Sequence, residues 1–131
     1  MIVRNLANAA PFTTKDGSSI RSLLDLSCAP VQAQSLAEAT LPADGSTTRH
    51  RHPGTEELYY LTQGSGWLEV DGELREVGPG DACLIPAGAT HQLYNPGPGE
   101  MKLLCCCAPP YRHEDTFLLD DGPVCEKRKK L

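Results

Sequence analysis

His50-Arg51-His52-Pro53-Gly54-Thr55-Glu56-Glu57 and Gly80-Asp81-Ala82-Cys83-Leu84-Ile85-Pro86-Ala87-Gly88-Ala89-Thr90-His91-Gln92-Leu93-Tyr94-Asn95 are the stretches that decide the fold. Three of the four histidines in this 131-residue chain fall inside them. Neutral imidazole together with carboxylate suits a divalent transition metal. His50 and His52 lie two apart, so on a strand both side chains point to one face. Arg49 and Arg51 then point the other way, and their charge stays away from an ion held by the histidines.

Outward from these blocks, turn residues cut the chain into short segments. Leu58-Tyr59-Tyr60-Leu61-Thr62 is a strand ended by Gln63-Gly64-Ser65-Gly66. Trp67 to Val70 and Glu73 to Val77 form a hairpin around Asp71-Gly72, a strong tight-turn signal. Gly78-Pro79-Gly80-Asp81 is a second turn. Ala82 to Ile85, Thr90 to Tyr94 and Met101 to Cys107 are strands, the last stopped by Pro109-Pro110. Val31 to Leu41 holds one or two strands. Ser19 to Asp25 is a strand or a short helix. No internal repeat and no long linker divides the chain. Strands broken this often predict an all-β barrel or sandwich.

The two blocks resemble the paired motifs of the cupin superfamily. Its first motif has a glycine, His-any-His, a glutamate after three or four residues, and a glycine six further. His50, His52, Glu57 and Gly64 fit it; Gly45 lies one position closer to His50 than the family's leading glycine. Gly80, Pro86, Gly88, His91 and Asn95 fit the second motif without a gap. The match spans Gly45 to Asn95, 51 of the 131 residues. The resemblance implies a double-stranded β-helix, or jelly-roll, with antiparallel strands and short terminal extensions. We expect an N-terminal extension over 1–30, a strand or short helix packed on the barrel. The cupin barrel itself follows over 31–112, and a C-terminal extension with a basic tail over 113–131. The resemblance also implies a homodimer, since family barrels pair through edge strands and exposed edges need cover.

The expected ligands are His50, His52, Glu57 and His91, holding one divalent ion: Mn, Fe, Co, Ni, Cu or Zn. Three nitrogens and one oxygen leave positions open for chemistry on a five- or six-coordinate ion. Glu56 competes with Glu57 but faces oppositely on an extended strand. With Glu57 inward, Tyr59 and Leu61 also face inward. Tyr59 is the candidate catalytic residue, donating a proton or bonding a substrate oxygen, with packing as its alternative. Leu93 shares the face of His91. Met101, Leu103, Cys105 and Cys107 point in and Lys102 out. Cys105 either approaches the metal or packs as a small hydrophobe. His113 sits among polar residues and reads as exposed. Gly80, Pro86, Gly88 and Asn95 are structural: they make turns, and the Asn95 amide bonds to backbone.

Formal charge is −5, with four of the twelve basic residues in Lys127-Arg128-Lys129-Lys130. The rest of the chain is strongly acidic, which disfavours nucleic acid; the basic tail reads as a frayed end. No apolar run reaches membrane-spanning length, and the N-terminus lacks the apolar stretch of a signal peptide. We therefore expect a cytoplasmic protein. Consecutive Cys105, Cys106 and Cys107 alternate faces on a strand and cannot pair with their neighbours. Cys28, Cys83 and Cys125 lack CxxC spacing, so free thiols are expected. Cupin chemistry includes dioxygenases, isomerases and epimerases of sugars, decarboxylases, lyases, polyketide cyclases and non-catalytic binders. The expectation is a metal-dependent enzyme on a small polar metabolite. A sugar- or acid-binding module is the second reading, and a structural role the third.

Overall fold

Eleven strands make up the regular structure of residues 1–119, which the computed structural model describes. They are β1 (Phe12–Thr13), β2 (Ser19–Leu24), β3 (Ser35–Leu41), β4 (His50–Arg51), β5 (Glu56–Gln63) and β6 (Gly66–Val70). Then come β7 (Glu73–Val77), β8 (Ala82–Ile85), β9 (His91–Tyr94), β10 (Met101–Ala108) and β11 (Phe117–Leu118). Two 3-10 turns, Leu6–Asn8 and His113–Asp115, complete the set. The basic tail and Cys125 lie outside the described residues. Among the described residues, no helix is long and apolar enough to cross a membrane.

The strands form two antiparallel sheets. One has the order β1-β2-β3-β10-β5-β8, the other β11-β4-β9-β6-β7. Sequence neighbours therefore often sit in different sheets, as a jelly-roll barrel requires. The open choice for residues 19–25 is settled: Ser19–Leu24 is a strand, because β3 offers register partners from Ser19↔Thr40 to Leu24↔Leu36, with one irregularity between Ser22 and Leu24. The β6–β7 hairpin closes through Asp71 (φ 46°) and Gly72 (φ 87°). Two positive φ angles give the type I′ turn whose twist matches the strands.

Alternation selects the core. In β5, Glu57, Tyr59 and Leu61 are buried, whereas Glu56, Leu58 and Tyr60 are exposed. In β10, Met101, Leu103 and Cys107 are buried and Lys102 faces out, half-buried. Leu41, Leu61, Ile85, Leu93, Met101 and Leu103 are almost fully enclosed. Each such side chain contributes about 1.5–3 kcal/mol by leaving water. Gly66 is required by close approach: a Cβ there would collide with the Met101 methyl and the Tyr94 carbonyl.

Candidate metal centre

Each of the three histidines is held by its Nδ1. His50 Nδ1 lies 2.7 Å from the Thr48 carbonyl and His91 Nδ1 3.1 Å from the Ala89 carbonyl. A carbonyl only accepts, so both Nδ1 atoms carry the proton and both Nε2 atoms present a lone pair. His52 Nδ1 meets the Thr116 hydroxyl at 3.2 Å. The three rings cluster, with centroids 4.2–5.4 Å apart. One ligand atom from each lies within 4.8 Å of the other two, a grouping able to hold a metal ion. His50 and His91 are register partners on β4 and β9. His52 follows β4 directly, and its carbonyl accepts from the Gly88 N–H at 2.9 Å. That bond ties the turn of the second motif to the ligand of the first.

Glu57 enters from the opposite sheet. Its Oε1 lies 3.3 Å from His91 Nε2 and 3.7 Å from His52 Nε2. Its Oε2 accepts from the Cys107 thiol at 3.3 Å, across the β5–β10 register. The His91–Glu57 approach is short enough for an ion pair, yet both atoms are buried and neither has a hydrogen-bond partner of acceptable geometry. With the His91 proton on Nδ1, two lone pairs face each other there, an arrangement that a shared cation resolves. Two atoms bonded to one ion at about 2.1 Å sit about 3.0 Å apart at a right angle and about 3.4 Å at a tetrahedral one. The His91–Glu57 separation therefore fits two ligands of one cation, beside a histidine group that could hold it.

Burial governs the protonation states. It pushes His50 down to about 4, helped by the charge of His91, so this imidazole is neutral at physiological pH. His52 is lowered by burial too. Burial acts to raise Glu57, but its surroundings, the neighbouring imidazoles and the Cys107 thiol that donates to Oε2, outweigh it and hold the carboxyl below its ordinary value. Tyr59 and Cys105 are held far above their ordinary values by burial and the charge of Glu57, so the phenol and thiol stay protonated. Cys105 packs against the hydrophobic core.

Some of the site was not anticipated from the motifs. Asp16, on the turn between β1 and β2, places Oδ2 3.4 Å from His50 Nε2. Cys107 was expected inward, but its bond to Glu57 was not. Thr116 and Asp115 come from the C-terminal segment; Asp115 accepts from Gly54 N–H at 3.0 Å and steadies the loop after His52. No spacing rule links these residues to the motifs; only the sheet register and the chain ends brought together reveal them. Of the other candidates, Glu56 and His113 are exposed and remote in orientation, while Tyr59 faces the cavity. Arg49 points away from the histidines, as alternation predicts, yet it is buried: its Nη2 reaches both Glu69 oxygens at 2.6 and 2.7 Å. Arg51 is exposed, its guanidinium 5.8 Å from the centre of the Phe117 ring. Asn95 donates to the carbonyls of Leu41, Pro42 and Gly99, the backbone role expected of it. The described cysteines are all free thiols.

A cavity of about 60 Å³ opens beside the histidines. Thr14, Ser18, Ser22, Ser35, Tyr111 and Thr116 supply hydroxyls around it, and Leu41, Leu93 and Leu103 its apolar floor. Among the described residues, no lysine or arginine lines it.

The cupin domain family model matches residues 37–107, and this chain belongs to that family. It is 44% identical over 110 residues to an uncharacterized protein of Methanocaldococcus jannaschii, covering 84% of this chain and 88% of that one. It is 30% identical over 73 residues to an oxalate-binding protein of Thermotoga maritima, covering 56% of this chain and 60% of that protein. The polyketide cyclase RemF of Streptomyces resistomycificus superposes with a TM-score of 0.73 at 22% identity, covering 100% of this chain and 94% of that one. At that identity the likeness is one of fold.

Proposed function

We propose that this cupin is a metal-dependent enzyme for a small polar metabolite, with His50, His52, His91 and Glu57 as ligands of one divalent transition metal. The observation that carries this reading is the buried pair of unsatisfied acceptors, Glu57 Oε1 and His91 Nε2, beside two further imidazoles. When bound, the ion supplies Lewis acidity toward a carbonyl, carboxylate or enolate oxygen. The protonated phenol of Tyr59 is positioned on the cavity wall to donate a hydrogen bond or proton to that molecule.

The cavity bounds the substrate. A cavity of this kind, walled by side chains of both sheets, suits a small molecule. A wall of hydroxyls and carboxylates, with no lysine or arginine among the described residues, suits a hydroxy or carbonyl compound better than a phosphorylated one. The test is metal analysis of protein purified without an affinity metal column, followed by a turnover screen of small acids and sugars with and without EDTA. One ion per chain and activity that vanishes with EDTA support the enzyme. A metal-free protein overturns it.

Binding without turnover is the second reading, favoured by the similarity to the oxalate-binding protein. It predicts tight binding of a small acid with no product formed. For either reading we propose a homodimer, supported by the outer face of the six-stranded sheet. There Leu84, Leu58, Cys106 and Leu36 form one uncharged row across β8, β5, β10 and β3. Leu84, Leu58 and neighbouring Tyr60 are about half exposed or more. A second copy of this chain, presenting the same row, is the occupant that such self-complementary apolar matching favours.

A further inference from the structure

We propose that Asp16 is a fifth protein ligand, a second carboxylate brought to the metal centre by the N-terminal hairpin. This rests on the reading of the histidine cluster as a metal site. Asp16 lies outside the residues that match the cupin domain, 37–107.

The two oxygens of Asp16 are used differently. Oδ1 accepts from the Thr14 hydroxyl at 2.7 Å, the Ser18 N–H at 2.8 Å and the Ser18 hydroxyl at 2.6 Å. Those three bonds satisfy the turn and lock the carboxyl plane. Oδ2 is left facing His50 Nε2 at 3.4 Å. His50 carries its proton on Nδ1, since that atom meets a carbonyl, so Nε2 has only a lone pair to offer. Two acceptors thus face each other, at a separation that matches two atoms sharing one ion. Glu57 repeats the pattern, with Oε2 occupied by Cys107 and Oε1 free for the centre.

The backbone fixes the same alignment. The Asp16 carbonyl accepts from the Thr48 N–H at 2.7 Å, and the Thr48 carbonyl is the group that orients His50. One residue therefore registers both the imidazole and the carboxylate. Lys15 Nζ reaches the carbonyls of His113 and Thr116, each at 3.2 Å, which anchors the hairpin at the cavity mouth. Charge supports the assignment: two carboxylates balance a divalent cation among neutral imidazoles, whereas Glu57 alone leaves a buried positive charge.

The test compares metal-free wild-type protein with Asp16→Asn. Asparagine keeps an oxygen for the Thr14 and Ser18 donors, so the turn survives, but its Nδ2 has no lone pair for a cation. Each protein is titrated with Mn(II), and water-proton relaxation counts the exchangeable waters on the bound ion. The expected result is binding weakened roughly tenfold or more, on the scale of a lost ligand contact, with one additional exchangeable water. Ser18→Ala, which loosens the turn but leaves Oδ2 in place, keeps the wild-type water count. Unchanged affinity and water count in Asp16→Asn overturn the assignment while leaving the histidine site standing. Weaker binding with an unchanged water count also overturns it, because the carboxylate then acts through a bound water. A wild-type protein that takes up neither Mn(II), Co(II) nor Zn(II) removes the metal site itself.

Discussion

Each imidazole of the cluster is oriented from behind, and that is where substitutions discriminate best. His52→Ala removes a ligand but only one buried ring, so metal occupancy falls well below one per chain while circular dichroism remains that of a folded β-protein. A fully metallated variant sinks the ligand assignment. Cys107→Ala frees Glu57 Oε2 and loosens the carboxylate; a chelator competition assay should show metal affinity about tenfold weaker or more. His50 gives the metal-free protein its acid sensitivity. Folding holds it at about 4, whereas an unfolded chain titrates near 6.5. Between those values the unfolded state binds the extra proton, so stability falls as pH drops through that window. Denaturant midpoints of metal-free protein should fall from pH 6.5 to pH 4, and a flat profile contradicts the burial of His50. Bound metal, by keeping Nε2 unprotonated in the folded state, should carry that slope to lower pH.

At the scale of strands and turns, Gly66 is the described glycine with least room for a side chain. Gly66→Ala drives a methyl into Met101 and Tyr94, where β6 meets β9 and β10. Overpacking of this kind costs about 1–3 kcal/mol, which a denaturant titration resolves; unaltered stability contradicts the packing at this crossing. Most strands from Glu56 to Ala108 were legible because Gly, Pro and Asx residues punctuate them and alternation marks the inner face. Glu57, Tyr59 and Leu61 on one side and Glu56, Leu58 and Tyr60 on the other read directly from the chain. The N-terminal hairpin was less legible. β1 has only Phe12 and Thr13, and Thr14 to Ser18 is a polar turn without periodicity, so nothing local says that Asp16 points inward. Buried Arg49 was equally opaque in one respect. Alternation gives its direction, but only the three-dimensional approach of Glu69 accounts for a guanidinium out of water.

For the whole molecule, the uncharged row on the outer face of the larger sheet is the feature with the widest consequence. Light scattering is expected to give twice the chain mass. Leu84→Glu, which places a charge in the row beside Leu58, is expected to yield monomers with the metal content unaltered. A monomeric wild-type protein removes the proposed pairing. The candidate site itself was legible to the extent that three histidines and a glutamate carry motif spacing. The rest was hidden because it depends on segments far apart in the chain arriving at one place. His52 and Thr116 are 64 residues apart, and Lys15 and Thr116 are 101 apart.

That separation constrains the order of events during synthesis. The oxygen that steadies His52 and the carboxylate that steadies its loop emerge from the ribosome only after both signature motifs have been translated. β3 must likewise wait for β10 before it has a partner on its second edge. A nascent polypeptide displaying the histidines but lacking residues 101–116 has the donors without the scaffold that aims them. Capture of an ion by the proposed centre is therefore expected late in maturation, after the C-terminal segment has joined the barrel.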